Sequence, residues 1–543
     1  MNHAKCIITL LSACILTACN SFLEEHPDGS LTEEQAYNSI ADLRNNAVLA
    51  VYNNIGGNQD SKGLQGTGRG VFDFNSLTTD EAIMPTRGGD WYDGGFWQTL
   101  FLHTWTPGTA SMKDMWEYLY QVVITCNDGI ERVNSFMATH NSDMQELISY
   151  EAELRAVRAM YYFYLMDLFG NIPLVTSTNL KTNDIQQSKR SEVFWFAVKE
   201  LQGALPLLAP QKSNIPGEYY GRITRPVAFF LLAKLAINAE VYTHDNWTTT
   251  PKPSGSTILF QHQAKSLNAW EYCKACCDSI EQYDYQLEPT FTTNFCPTNE
   301  SSRENIFTIP MDPTLYSNWY TYFFRSRHYS HGAALGGSSE NGTCATLDII
   351  RAFHLNESNE DPRFYMTFYA GTVKENGKTV MDDDGKSPLI YYPMLVKLDL
   401  TGTTYEKTTG ARLRKYANDP NANADGRACN NDIVLFRFAD VLLMRAEALT
   451  RNGSDGSSDL NKVRSRVGLP AITANLDNIL NERYLELAWE GWRRNDMVRF
   501  GIYGNPYTDR PQVPYEENGH TTVFPIPADL MLMHPSWTQN PGY

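Results

Sequence analysis

Apolar residues recur at three- and four-residue steps through much of this chain, and the stretch from residue 151 to residue 173 shows the pattern most clearly. One helical face carries Leu154, Val157, Tyr161, Tyr164, Leu165 and Leu168. Gly170 supplies a residue that closes such a helix, and Pro173 prevents it from resuming. Because large rings at 161–164 point to all sides, the pattern predicts a central helix that neighbours cover almost completely.

The same period predicts further helices before and after this one. The predicted helices cover residues 31–55, 111–137, 143–169, 191–208, 224–243, 264–283, 432–453, 457–470 and 476–501. Short turns join them in pairs, and alanines occupy close-contact positions, as is typical of tetratricopeptide-like helix hairpins. The predicted fold class is therefore mainly α, with a tetratricopeptide-like helical repeat scaffold and a large loop-rich insertion.

The insertion is predicted at about residues 284–431, where Pro, Gly, Asn and Thr interrupt the helical period. Residues 31–283 and 432–501 then form the scaffold, and residues 502–543 form an extended C-terminal tail. We expect residues 19–543 to be a single domain. Loops on a rigid frame are where specificity is expected.

The first eighteen residues form a predicted signal peptide, in which Lys5 precedes an apolar run too short to span a bilayer. The following LTAC sequence resembles the lipobox of bacterial lipoproteins and predicts lipidation at Cys19. Cys14 fits the same pattern but would leave a shorter apolar region. An ordinary secretory signal cut nearby is the alternative. We expect a lipid-anchored protein.

Composition narrows the classes of ligand. The net charge of −17 argues against a nucleic-acid partner, because phosphate binding needs a basic surface. Aromatic residues make up 12% of the chain, more than core filling usually requires, so some rings are expected to serve a ligand surface.

Two segments more than two hundred residues apart combine rings with hydrogen-bonding side chains. The predicted ligand-binding residues are Arg87, Asp90, Trp91, Asn318, Trp319 and Tyr320. Flat rings beside hydrogen-bonding side chains suit a ligand that has both apolar faces and polar groups. We expect Trp91 and Trp319 to flank one shallow site. The alternative is that Trp91 and Trp97 only pack a loop onto the helices.

Several motifs in order carry a family resemblance. They are CNSFLEEHP at the lipidated start, LRAVRAMYYFYLMDLFGNIPL, FRFADVLLMRAEAL followed by LNKVRSRVGLP, ERYLELAWEGWRRNDMVRFG, and a final FPIP and QNPGY. Over nearly its whole length the chain resembles SusD/RagB-type outer-membrane nutrient-binding lipoproteins of Bacteroidetes. The resemblance implies a glycan-binding protein, not an enzyme, that captures oligosaccharide and delivers it to a TonB-dependent SusC-like transporter. It also implies a lipid-anchored protein of the outer membrane, exposed at the cell surface. We expect no cofactor and no metal. The RagB part of the family name leaves a peptide ligand open.

Three clusters of side chains are candidates for catalysis or metal binding. Glu482, Glu486 and Glu490 recur at four-residue steps and could serve a glycosidase, although interleaved arginines favour ion pairs. Residues Asn421, Asn423, Asp425, Gly426 and Asp432 match positions of a calcium loop, or form a solvated turn. Residues Cys273, Cys276 and Cys277 suggest a metal or redox cluster, but their helical spacing favours core packing.

Overall fold

The computed structural model describes residues 36–140, 142–514 and 516–543, except for the side chains of residues 322–324. The first part of the scaffold contains helices α1 to α10 in chain order. They are α1 Ile40–Leu43, α2 Ala50–Tyr52, α3 Val71–Ser76, α4 Phe96–Phe101, α5 Ala110–Thr139, α6 Met144–Phe169, α7 Arg190–Ala204, α8 Arg225–Ile237, α9 Ala239–Tyr242 and α10 Ala269–Glu281. A π-helical stretch, Arg44–Leu49, joins α1 to α2.

The insertion and the second part of the scaffold contain the remaining helices. They are α11 Thr321–Ser326, α12 Tyr329–Ala334, α13 Leu347–Ala352, α14 Phe364–Thr367, α15 Phe438–Arg451, α16 Ser457–Arg466, α17 Leu476–Glu486, α18 Arg493–Phe500 and α19 Ala528–Met533. Helices between residues 284 and 431 are at most six residues long, so the predicted loop-rich character of this part is confirmed.

Strands are short and pair two by two in antiparallel fashion. They are β1 Ala82–Ile83, β2 Ile172–Pro173, β3 Gln187–Ser188, β4 Leu259–His262, β5 Lys265–Asn268, β6 Asn305–Ile309, β7 Cys344–Ala345, β8 Phe368–Tyr369, β9 Gly371–Thr372, β10 Lys374–Glu375, β11 Lys378–Thr379, β12 Ile390–Tyr391, β13 Arg412–Leu413 and β14 Ile433–Arg437. The pairs are β1 with β7, β2 with β3, β4 with β5, β6 with β14, β8 with β13, β9 with β12 and β10 with β11.

Scaffold helices pack side by side in a succession. Helix α5 packs on α6, α6 on α7, α8 on α10, α10 on α15, and α15 on α16 and α17. The fold is therefore mainly helical and tetratricopeptide-like, as predicted. Every side chain from residue 156 to residue 169 is buried, which confirms α6 as a central helix. Helix α6 ends at Phe169, and Gly170 follows with a φ of 69°.

Three of the predicted helices include residues that the structure places in a strand or a turn. Residues 265–268 belong to the β4–β5 hairpin, and α10 begins only at Ala269, where the Asn268 side chain caps it. Residues 433–437 form β14, because a fully buried apolar run fits a strand as well as a helix. The predicted helix 476–501 is interrupted between α17 and α18, where Trp489 and Gly491 have φ values of 58° and 77°.

The interruption between α17 and α18 has a long-range cause. The backbone N–H of Trp489 donates to a carboxylate oxygen of Glu81, and its indole N–H donates to the Glu81 carbonyl oxygen, at 3.1 and 3.0 Å. A residue four hundred positions away thus fixes this turn, which no local pattern could reveal.

Candidate functional site

The loop that carries Trp91 is held by a tight hairpin. Arg87 and Asp90 exchange backbone hydrogen bonds of 2.9 and 3.1 Å across Gly88 and Gly89. Trp91 itself has a φ of 62°, a left-handed conformation that is costly for a bulky residue. Its indole N–H donates to the Glu340 carbonyl oxygen at 3.0 Å. The half-buried ring is therefore held in place by the surrounding structure.

The segment that carries Trp319 rests on the glycine-rich passage between α2 and α3. The Trp319 N–H donates to the Gly57 carbonyl at 3.0 Å, and the Thr321 N–H donates to the Gly66 carbonyl at 2.6 Å. Gly66 has a φ of 98°, and a Cβ atom there would come within 2.2 Å of the Trp319 carbonyl oxygen. Only glycine meets both requirements without a shift of the backbone.

Trp91 and Trp319 line the same shallow cavity, which we call the tryptophan pocket. Its volume is about 130 Å³, and its lining residues are Asp60, Gly68, Arg69, Trp91, Trp97, Trp319, Thr321, Arg325, Glu340 and Arg427. The rings of Trp91 and the buried Trp97 meet edge to face at 6.0 Å. The Arg427 guanidinium lies 4.6 Å from the centre of the Trp319 ring. A helical frame thus brings together two loops that are distant in sequence.

Carboxylates accompany the three arginines of the tryptophan pocket. Arg69 lies 2.7 Å from Asp93, which is not itself part of the lining. Arg427 lies 3.7 Å from Glu340, whose pKa burial raises above its ordinary value. Arg325 is held 2.6 Å from the buried Asp73. The pocket therefore offers many hydrogen-bonding groups while its charges are largely balanced.

The other predicted ligand-binding residues do not line the tryptophan pocket. Arg87 is buried, and its guanidinium donates to the carbonyl oxygens of Gly342, Glu406 and Thr409. Asn318 accepts from the Gly57 N–H and donates to a carbonyl, both at 3.1 Å. Tyr320 is 2% exposed and packs on Tyr416.

Asp90 differs from these three. It is exposed beside Trp91 and accepts a hydrogen bond of 2.8 Å from the Tyr329 hydroxyl.

Two family models match separate parts of the chain. The model described as SusD family matches residues 303–543, and the model described as starch-binding associating with outer membrane matches residues 21–237. The chain belongs to the SusD/RagB family. The starch-binding protein SusD of Bacteroides thetaiotaomicron is 22% identical over 99% of this chain and 98% of its own length.

Solved structures share the SusD fold with this chain. A laminarin binding SusD-like protein superposes with a TM-score of 0.68 at 20% identity, covering 92% of this chain and 98% of its own. Surface glycan-binding protein A from Bacteroides thetaiotaomicron, in complex with laminarihexaose, gives a TM-score of 0.68 at 21% identity, covering 91% and 98%. At these identities the superpositions establish the SusD fold only.

The glycosidase interpretation of Glu482, Glu486 and Glu490 is wrong for this SusD-family chain. All three are buried, and Glu490 lies beyond the end of α17 rather than on it. Their carboxylates pair with Arg363, Arg437, Arg464, Arg466 and Lys415. These residues, together with Glu304, form what we call the glutamate network. Carboxylates that are enclosed and occupied in this way cannot flank a glycosidic bond.

The predicted ion pairing of these glutamates is confirmed, but its partners differ from the interleaved arginines that the sequence suggested. Those arginines bind other acids: Arg483 pairs with Asp440 and Asp496, Arg493 with Asp80, Arg494 with Asp167, and Arg499 with Glu447 and Asp496. The spacing of acids and arginines along one segment predicts that these glutamates form ion pairs. Which basic residues they pair with depends on how the helices pack against each other.

The calcium-loop alternative is also wrong. Asp432 is buried, and its oxygens accept hydrogen bonds from Tyr220, Thr308 and the backbone N–H of Met311. Burial raises its pKa to about 7 although these bonds oppose the shift. A carboxylate used in this way is not available to a cation at the exposed Asp425.

The cysteine cluster is core, as its spacing predicted. Cys273, Cys276 and Cys277 are at most 1% exposed in α10, and burial raises the pKa of Cys276 and Cys277.

The signal peptide and Cys19 lie outside the described residues. Within the described ranges, none of the helices combines the length and apolarity that a membrane crossing would need.

Sequence reasoning missed part of the pocket lining. Glu340 and Arg427 come from separate irregular stretches of the insertion and carry no motif. The sequence predicts only a packing role for Trp97, and the side chain is indeed buried at 2% exposure, yet it also lines the tryptophan pocket. Four rings within the eight residues of DWYDGGFW are the one sequence signal for it.

Proposed function

We propose that this protein captures a glycan in the tryptophan pocket without altering it and delivers the glycan to a SusC-like TonB-dependent transporter. One observation carries the proposal: Trp91 and Trp319, from loops more than two hundred residues apart, line one pocket on the surface of a SusD fold. Among relatives, a starch-binding protein and a structure in complex with laminarihexaose support a glycan as the class of ligand.

The pocket chemistry suits a sugar. The Trp91 indole N–H is already bonded to Glu340, so what Trp91 offers a ligand is its apolar ring. Asp60, Arg69 and Arg427 stand around the rings, and their carboxylate oxygens and guanidinium N–H groups can pair with sugar hydroxyls.

Of the four predicted residues outside the pocket lining, Asp90 would reach a bound glycan, because it is exposed beside Trp91. Arg87, Asn318 and Tyr320 would act through packing, by holding the two loops that carry the tryptophans.

The expected affinity is modest. Ring stacking contributes on the order of 1 kcal/mol per ring, so a shallow site with two half-buried tryptophans gives dissociation constants between about 1 mM and about 1 µM. Such binding would let a capturing protein release its glycan.

Stacking is tested with Trp91→Ala and Trp319→Ala. Each variant is expected to lose most glycan binding in calorimetric titration while losing little thermal stability, because neither ring is fully buried. Trp195→Ala is the matched control, since Trp195 is also half buried but lies on α7, away from the pocket lining. If both variants bind as the wild type does, or simply unfold, the site is elsewhere.

The peptide alternative is tested with an array that carries both glycans and peptides. Selective retention of glycans is expected, and selective retention of peptides would replace this proposal with a RagB-type peptide-binding function.

Surface attachment is proposed to depend on lipid at Cys19. The description of one matching family model includes association with the outer membrane, which supports this location. Cys19→Ala is expected to abolish acylation and release the protein from the membrane fraction. Continued retention with intact acylation would contradict the assignment of Cys19.

A further inference from the structure

A second cavity lies in the insertion, where the strands around β12 face the loop before β13. We call it the outer pocket. Its volume is about 400 Å³, and it is lined by Asp382, Ser387, Pro388, Ile390, Tyr392, Thr403, Thr404, Glu406, Lys407 and Thr408. No residue of the tryptophan pocket belongs to this lining.

The outer pocket presents hydroxyl groups beside one exposed ring. Tyr392 is 40% exposed. Among the described residues, no hydrogen bond occupies its hydroxyl group, nor those of Thr404 and Thr408. Such groups can exchange hydrogen bonds with the hydroxyls of a sugar, and the ring can cover one of its apolar faces.

The charges of the outer pocket favour a neutral ligand. The Lys407 ammonium is 3.0 Å from the Asp383 carboxylate, which lies just outside the lining. Asp382 and Glu406 add negative charge to the lining itself. An anionic sugar would meet repulsion here, whereas a neutral sugar would not.

A short row of side chains connects the two pockets. Asp90 directly precedes Trp91 and accepts the Tyr329 hydroxyl at 2.8 Å. The Lys407 ammonium lies 6.0 Å from the centre of the Tyr329 ring and belongs to the outer pocket. Asp90 and Lys407 are exposed and Tyr329 is half buried, so this row lies at the surface.

The two pockets are also fixed relative to each other. The buried Arg87 guanidinium donates to the Glu406 carbonyl oxygen at 2.7 Å, which ties the hairpin before Trp91 to the loop of the outer pocket. A ligand that bridges the pockets would therefore meet a prearranged surface and would not have to order a loop.

We propose that the outer pocket is a second subsite for the same glycan, so that one neutral oligosaccharide stacks in the tryptophan pocket, crosses Asp90 and Tyr329, and ends against Tyr392. This inference rests on the proposed function. It adds that the protein selects neutral glycans by length, because only a chain long enough to cross Asp90 and Tyr329 gains the contacts of both pockets.

The test is a titration of neutral glucan oligosaccharides, from disaccharide to hexasaccharide, prepared from laminarin and from starch. Wild-type affinity is expected to rise at least tenfold along the better-bound series. Tyr392→Ala is expected to remove that rise while leaving disaccharide binding unchanged. Tyr365→Ala is the matched control, because Tyr365 is exposed to a similar 44% and lines neither pocket.

Each other outcome has a distinct meaning. A rise in affinity that survives in Tyr392→Ala, while Trp319→Ala binds no length, overturns the second subsite and leaves the proposed function standing. If wild-type affinity does not depend on the length of the oligosaccharide, the second subsite is likewise overturned and the proposed function stands. Wild-type protein that binds no neutral glucan overturns the second subsite, and a Trp319→Ala variant that binds every length normally overturns both.

Discussion

The glutamate network and the tryptophan pocket use the same residue types in opposite ways. In the network, the Arg437 guanidinium lies 5.8 Å from the centres of both the Phe291 and the Phe295 ring. It bonds to Glu304, Glu486 and Glu490, which are all buried. In the pocket, Arg427 lies over Trp319 and is 3.7 Å from Glu340, with about 38% of its side chain exposed.

Residue type therefore does not separate structure from function in this protein. Burial and the occupancy of hydrogen-bonding groups do so. Enclosed charges that are paired with each other stabilise the fold, and exposed groups beside open rings remain available to a ligand. Matched substitutions in the two regions test this contrast.

The largest effect is expected for Glu486→Gln in the network. Burial alone would raise the pKa of Glu486, but Arg466, Arg437 and Arg363 outweigh it and hold the pKa well below its ordinary value. Removing this charge leaves buried arginines under-compensated, which costs about 3 to 5 kcal/mol of unfolding free energy. Denaturant unfolding would measure the loss. A variant as stable as the wild type would show that the network is dispensable.

Asp432 is expected to make the protein less stable as pH rises. This is the opposite of the effect of Glu486, whose pKa is lowered in the folded protein. Its folded-state pKa of about 7 lies above the ordinary 3.8, so the folded protein binds the extra proton and loses stability as pH rises from about 4 to about 7. A shift of about three units corresponds to at most about 4 kcal/mol. The unfolding free energy of Asp432→Asn minus that of the wild type should therefore increase as pH rises over this range. A constant difference between the two proteins at all pH values would contradict the assignment.

Gly66→Ala tests whether the scaffold positions the pocket. The new Cβ would collide with the Trp319 carbonyl oxygen, and the left-handed backbone adds strain, so a cost of about 1 to 3 kcal/mol is expected. Glycan binding should fall as Trp319 moves. Gly453→Ala is the control, because Gly453 has a φ of 78° but a Cβ atom added there would meet no described atom within 4 Å. Equal binding losses in both variants would mean that general strain, rather than the position of Trp319, governs binding.

The contrast also explains what the sequence could reveal. The helices that pack around α6 follow from local periodicity, and Trp91 and Trp319 were identified from rings set among glycines and polar residues. Arg87 and Tyr320 carry the same signal, yet both are buried. Whether a ring or a guanidinium ends up exposed depends on contacts hundreds of residues away, such as that between Arg87 and Glu406. Residue patterns along the chain do not encode this.

The smallest effect on stability is expected for Arg427→Met, the counterpart of Arg437→Met in the network. A partly exposed arginine at 3.7 Å from its carboxylate contributes less than about 1 kcal/mol to folding, because solvent screens the pair. Methionine retains much of the length that covers Trp319 but provides no N–H donor for a sugar hydroxyl. Glycan affinity should therefore fall several-fold in calorimetric titration while the melting temperature barely changes.

Arg437→Met should show the reverse, with a strongly lowered melting temperature and unchanged affinity in the protein that remains folded. If Arg427→Met destabilises the protein as much as Arg437→Met does, the tryptophan pocket is a packing site of the same kind as the network.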